Sequence, residues 1–309
     1  LSRPTGAPGM TATSHAPAVS PASPPRLLAL RRFARAFAAN RGAMAGLGIL
    51  IAITVLAVAA PLFIHPSDLA VVNAPGPSLA PPSARFPLGT DQAGRSVLDL
   101  LIWGTRPSLL IGVIATLLTM VLGSLIGLLA GHYGGTISRV LMAVTDWFIA
   151  LPALPLAIAL AAVLGQGDAS ITIAIAVTSW PGTARLIRAQ VLAVEARPFI
   201  ERARALGARD RQLLSRQVLP NVMPFILVSG TLTIGSAIIS ETTLTFLGLG
   251  NPTEVSWGSM INQALNQGAV TSGAWWFIVP PGVAILIVVL GFTLIGRAVE
   301  NILNPRTER

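Results

Sequence analysis

Two carboxylates stand inside otherwise apolar runs, Asp146 ahead of Pro152 and Glu241 in ISETTLTFLG. A carboxylate in such a setting is costly to desolvate and generally faces a partner or a wet cavity. For Glu241 two readings follow: it lines a solute path or gate, or it makes a hydrogen bond between helices. Asp146 reads as structural, with Arg185 or Arg188 as its partner. Trp257 either anchors a loop at a membrane interface or belongs to a short amphipathic helix capping the outer end of a path. Conventional catalytic groupings are missing. His15, His65 and His132 are scattered, with no H-E-x-x-H, no metal-ligand spacing and no G-x-S-x-G. There is no cysteine, which excludes disulfides, iron–sulfur clusters and thiol catalysis. All 21 basic residues are Arg, so the lysine of a phosphate-binding loop cannot exist. The chain is therefore expected to be no enzyme and to bind no metal or cofactor itself.

The most patterned polar stretch is ARPFIERARALGARDRQLLSRQVLPNVMP, residues 196–224. Phe199, Ile200, Ala203 and Leu206 share one helical face, whereas Arg197, Glu201 and Arg204 share another and are spaced to pair with each other. Gly207 falls where a C-terminal cap with positive φ suits glycine. A second short helix is expected over 210–218, running to Leu219-Pro220, with Pro220 and Pro224 punctuating the start of the next apolar run. Two short amphipathic helices joined at a glycine suit docking into a groove on another protein; resting on lipid is the alternative.

The elements that must position these residues are membrane helices. Of 309 residues 53% are hydrophobic and only 11% charged, with a mean hydropathy of +0.71. That charge fraction is about half of what a soluble domain carries. Six runs could each cross ~30 Å of hydrocarbon, which takes roughly 20 helical residues. They are 42–64, 107–131, 138–165, 169–184, 221–249 and 275–296, and none alternates with the period of a strand. Gly123, Gly127 and Gly131 form G-x-x-x-G-x-x-x-G on the second, a surface for close helix packing. The proline pairs 152/155 and 280/281 are expected to kink or terminate spans three and six. Residues 1–25 read as a disordered tail, and 26–41 as a basic amphipathic segment against membrane lipid. The first apolar run begins too late and is too long for a signal peptide. With the N-terminus inside, 18 of the 21 arginines fall on cytoplasmic segments and only Arg85, Arg95 and Arg106 outside. The formal charge of +9 thus marks orientation, with no nucleic-acid partner expected. The expectation is an all-α integral membrane protein with six transmembrane helices and both termini in the cytoplasm. Its parts are 1–41, a transmembrane domain over 42–297 with a cytoplasmic loop at about 190–220 between spans four and five, and a tail over 298–309.

The patterned loop resembles the EAA loop of ABC importer permeases: Glu-Ala-Ala, a Gly six residues after the Glu, and a later Leu-Pro. Glu201-Arg202-Ala203, Gly207 and Leu219-Pro220 stand at that spacing, with Arg202 in place of the first Ala. Gln217 sits where an apolar residue is usual. FPLGTDQAGRSVLDLLIWGTRPSL (86–109) resembles the LGTD-x-x-GR segment of the dipeptide, oligopeptide and nickel importer permeases, though Ser96 and Leu100 replace charged residues usual there. ISETTLTFLGLG (239–250) with Trp257-Gly258-Ser259-Met260 is similar to the end of span five and the external loop of that group, and Leu303-Asn304-Pro305-Arg306 to its C-terminal Leu-Asp-Pro-Arg. The likeness covers roughly residues 40–306 and is to the second permease subunit of the pair. It implies a bacterial cytoplasmic membrane subunit working by alternating access for peptides or related small solutes. It implies Phe199, Ile200, Glu201, Ala203, Arg204, Ala205, Leu206, Gly207, Leu219 and Pro220 as the ATPase-coupling residues, with Glu241, Asp146 and Trp257 as path or gate candidates. The implied partners are a second homologous permease, two ATPase subunits that carry the ATP and Mg, and an extracytoplasmic substrate-binding protein. The alternative is a secondary transporter or channel without an ATPase. That would need ion-coupling charges and inverted repeats, for which Asp146 and Glu241 are meagre material.

Overall fold

The computed structural model describes residues 26–303. The expected tail over 1–25, Arg306, Arg309 and most of the Leu303-Asn304-Pro305-Arg306 segment lie outside the described residues. Within them the chain is helical, with one isolated antiparallel bridge between Thr90 and Ser96. Four helices are long and apolar enough to cross a membrane, and a sharply bent pair makes a fifth if counted as one span.

Helix α1 (Arg26–Ala39) leads into α2 (Arg41–Phe63), which starts on Asn40, whose side chain accepts from the Ala43 N–H at 3.0 Å. Helix α3 (Val97–Tyr133) starts on Ser96, whose hydroxyl accepts from the Asp99 N–H at 3.3 Å. The span expected to begin at Pro107 therefore begins at Val97, because the Ser96 cap starts the helix earlier and Pro107 is absorbed within it. At 1.5 Å per residue, the 37 residues of α3 reach about 55 Å, well beyond the hydrocarbon, so its ends stand in polar surroundings.

The third expected span, 138–165, is instead two helices, α4 (Gly135–Ala150) and α5 (Ala153–Leu164), bent by 91°. The break falls at Leu151-Pro152, where Leu151 is extended with ψ 136°. Proline disfavours helical backbone in the residue before it, which gives the bend its cause. Helix α6 (Asp168–Glu195) continues well past the expected end at 184. Its two arginines are accommodated there by α4: Arg185 reaches Asp146 at 2.7 Å and Arg188 reaches the Ser138 hydroxyl at 3.3 Å.

The loop then holds α7 (Pro198–Ala205) and a single α-turn, α8 (Asp210–Leu213). A π-turn (Leu214–Val218) follows and runs directly into α9 (Leu219–Phe246). The helix expected over 210–218 thus does not end at Leu219-Pro220. Pro220 falls in the first turn of α9, next to the widened π-turn, where its lack of an N–H costs little. Helix α10 (Trp257–Asn266) lies in the following loop, and α11 (Trp275–Leu303) passes through Pro280 and Pro281 without ending.

The α3–α6 pair is the centre of the bundle, with α9 packed on both and α11 joining α9 to α2. Its closeness comes from the three glycines of α3. A Cβ on Gly123 would stand 2.6 Å from Thr183, one on Gly127 2.6 Å from the Ala184 carbonyl oxygen, and one on Gly131 2.6 Å from Val191. The small-residue stripe therefore packs inside this chain.

Candidate functional site

The loop joining α6 to α9 is a folded unit seated on the ends of three helices. Helix α7 begins with Pro198 at its first position and Glu201 in its first turn, both suited to a helix N-terminus. It ends on Gly207, φ +83°, whose N–H donates to the Arg204 carbonyl at 3.0 Å while the Ala208 N–H donates to the Ala203 carbonyl at 3.1 Å. This pair of bonds is the Schellman cap, which glycine's positive φ permits. A Cβ on Gly207 would meet no atom within 4 Å, so the constraint is the backbone angle and the surface beside it is open.

Ile200 is fully buried among Ile187, Val191, Val194, Val218 and Val222, with Phe199 and Leu219 packed beside it. Ala203 is half-buried over a small groove shared with α8. Leu206, expected on the same inward face, is 88% exposed, because the chain unwinds into the cap one residue before it. Ala205, Glu201 and Pro220 are also exposed. The pairing expected among Arg197, Glu201 and Arg204 is replaced: Arg204 bonds Glu195 on α6 at 3.0 Å. Glu195 is held at the same time by His132 of α3, whose Nδ1 lies 2.5 Å from its other oxygen. One carboxylate therefore ties α3, α6 and α7 together, and neither His132 nor Glu195 stood out in the sequence.

The other expected positions lie elsewhere. Glu241 is completely buried in α9 and accepts from the hydroxyls of Thr245 (3.2 Å) and Thr242 (3.3 Å), with Ser108 of α3 close by. Trp257 is buried too. Its backbone N–H donates to the Ser108 hydroxyl and its ring Nε1–H to the Leu101 carbonyl, both at 3.2 Å. Glu241 and Trp257 thus meet around Ser108 in the packing of α3, α9 and α10. Asp146 belongs instead to the α4–α6 ion pair with Arg185, where both side chains are more than half exposed.

The LGTD-x-x-GR segment forms a buried cap on the end of the bundle that carries α10. Arg95 donates to Asp91 (Nε at 2.7 Å), to the Leu69 carbonyl (3.2 Å) and to Gln263 of α10 (3.0 Å). Residues 91–95 form a turn ahead of α3, so helical spacing gave no signal for this ion pair. Beside it opens a cleft of about 1400 Å³, with Trp103, Arg106, Asp168, Glu254 and Gln263 among its walls. Burial and then the neighbouring Asp168 charge push the Glu254 carboxyl above its usual range.

The described residues form a bundle of membrane-crossing helices that carries a folded amphipathic loop on one end, the architecture of a membrane-embedded protein. Residues 123–309 match the model of the family described as binding-protein-dependent transport system inner membrane component. Residues 29–82 match the N-terminal TM domain of oligopeptide transport permease C. The chain belongs to this family of permease subunits. It is 38% identical to the Pseudomonas aeruginosa di/tripeptide transport system permease protein DppC, over 93% of this chain and 96% of that one. It is 35% identical to the Bacillus subtilis oligopeptide transport system permease protein OppC, with 88% of each chain covered. It is 38% identical to the Pectobacterium atrosepticum glutathione transport system permease protein GsiD, over 73% of this chain and 74% of that one. An inward-facing structure of the MetNI methionine ABC transporter shares the fold at a TM-score of 0.52 and 20% identity, covering 65% of this chain and 96% of that chain.

Proposed function

We propose that the chain is the second permease subunit of an ATP-driven importer for peptides, with α7, Gly207 and α8 as the element that receives the ATPase. The supporting observation is the loop itself: Ile200 is buried against the helix bases and Leu213 within the loop, while Leu206 is exposed beside the open surface at Gly207. An exposed leucine on a capped, rigidly seated helix is a suitable anchor for a groove on another protein. Counting the bent α4–α5 pair and α6 as spans gives six crossings, with both termini and this loop in the cytoplasm, in keeping with the arginine distribution. The names of the relatives point to peptides as the solute class.

The chain supplies a path and a lever; the energy comes from two ATPase subunits carrying ATP and Mg. A second permease completes the path between the subunits, and an external binding protein delivers the solute. Glu241 and Asp146 serve as structural ties, given the hydroxyl bonds of the one and the Arg185 partner of the other. The test is uptake of a labelled dipeptide into proteoliposomes holding the complete complex. Uptake is expected only with ATP inside and binding protein outside. Uptake driven by an ion gradient without ATP overturns the proposal in favour of a secondary transporter.

A further inference from the structure

His132 occupies an unusual position for an imidazole. It lies at the end of α3, its side chain 1% exposed, with a carboxylate facing each ring nitrogen. On one side Nδ1 is 2.5 Å from Glu195, the carboxylate that also holds Arg204 of α7. On the other, Nε2 has no hydrogen-bond partner and faces Asp210 of α8 at 3.9 Å. Asp210 itself is largely exposed, so it can move without disturbing the core. The remaining groups around the ring do not compete: Tyr133 of α3 meets it edge-on with centroids 5.0 Å apart, and Arg188 of α6 is turned to Ser138.

We propose that His132 is a positioning residue, a latch that grips Glu195 permanently and takes Asp210 as well when an ATPase pushes on the coupling loop. This rests on the coupling function proposed above. The chemistry follows from the imidazole's two nitrogens. Neutral, with its proton on Nδ1 toward Glu195, the ring presents a lone pair to Asp210, acceptor against acceptor. Protonated, both nitrogens donate, and the ring bridges the two carboxylates. Closing the gap at Nε2 joins α8 to α3 through the residue that already joins α6 and α7. A push on the loop then reaches the two central helices of the bundle as one movement. Because the closed latch uses the imidazolium, it takes up a proton on closing. Coupling is therefore strongest at low pH and weakens as pH rises.

The experiment uses the full complex in proteoliposomes and measures the ratio of binding-protein-stimulated to basal ATPase activity as a function of pH. The wild-type ratio should fall with rising pH. His132→Gln and Asp210→Asn should lower the ratio at acid pH by about fivefold or more, the lower end of ordinary allosteric coupling, and flatten the profile. Asp210→Glu should restore it. In parallel, ¹⁵N-histidine NMR of the ATP-trapped complex, with His15 and His65 replaced by alanine, should show both His132 nitrogens protonated. A neutral His132 in that state, or wild-type ratio and profile in both variants, overturns the latch alone. Failure of the wild-type chain to retain an ATPase overturns the coupling function and the latch with it.

Discussion

At Gly207 a single dihedral angle carries a requirement of the whole loop. A side chain there meets open space, so Gly207→Ala disturbs no neighbour; it pays for positive φ, about 1–2 kcal/mol, and loosens the cap of α7. The variant is expected to insert normally but retain less ATPase on co-purification, and Gly207→Asn, which tolerates this angle, should be milder. Asp91 and Arg95 make the opposite case, a fully enclosed pair. Arg95→Met leaves the Asp91 charge buried without its partner and should cost about 3–5 kcal/mol, read as a lower melting temperature in detergent. Replacing both residues by apolar ones should cost less than replacing one. At Glu241, a Gln keeps acceptor capacity for Thr242 and Thr245, so Glu241→Gln should transport near the wild-type rate. Glu241→Ala leaves those hydroxyls unpaired and should lower stability by about 1–3 kcal/mol in the same melting assay.

At the level of elements, the α3–α6 contact sets the geometry of the bundle. Gly127→Leu would drive a side chain into the backbone of α6 at Ala184 and against Ile187, a cost of about 1–3 kcal/mol or more. The expected outcome is poor yield and aggregation on size exclusion, whereas Gly48→Leu, with no atom in the way, should behave as wild type. The π-turn before α9 has a different role. It joins the loop to α9 without a flexible linker.

For the molecule as a whole, the asymmetry of its arginines is the feature open to direct measurement. The chain has no cysteine, so single replacements give an unambiguous probe. In right-side-out vesicles a membrane-impermeant maleimide is expected to label Arg85→Cys and not Arg139→Cys; the reverse pattern would invert the proposed topology. Both arginines are exposed on the chain, which keeps the comparison fair.

Local physics made much of this legible from residue order. Hydropathy anticipated the four long apolar helices, and Gly207 announced its cap, because apolar runs and positive φ are properties of short stretches; of the six expected spans, four to five meet the length and apolarity of a membrane crossing among the described residues. Asp146 found an arginine as expected, because α4 itself packs on α6 and leaves the carboxylate within reach of Arg185. Leu206 was misplaced because helical spacing says nothing about the residue at which a cap unwinds the chain. The bend at Leu151-Pro152 exceeded expectation, as hydropathy sees the apolar run and not its direction. What no local pattern held were the contacts between distant elements: His132 with Glu195, 63 residues apart, and Arg95 with Gln263, 168 apart. Sequence alone identified an all-helical membrane protein that resembles importer permeases, with an amphipathic loop between two of its helices. Only the packing of α3 on α6 and α10 on the cap decided which polar groups meet, because a buried polar group is stabilised by whichever partner the fold brings beside it.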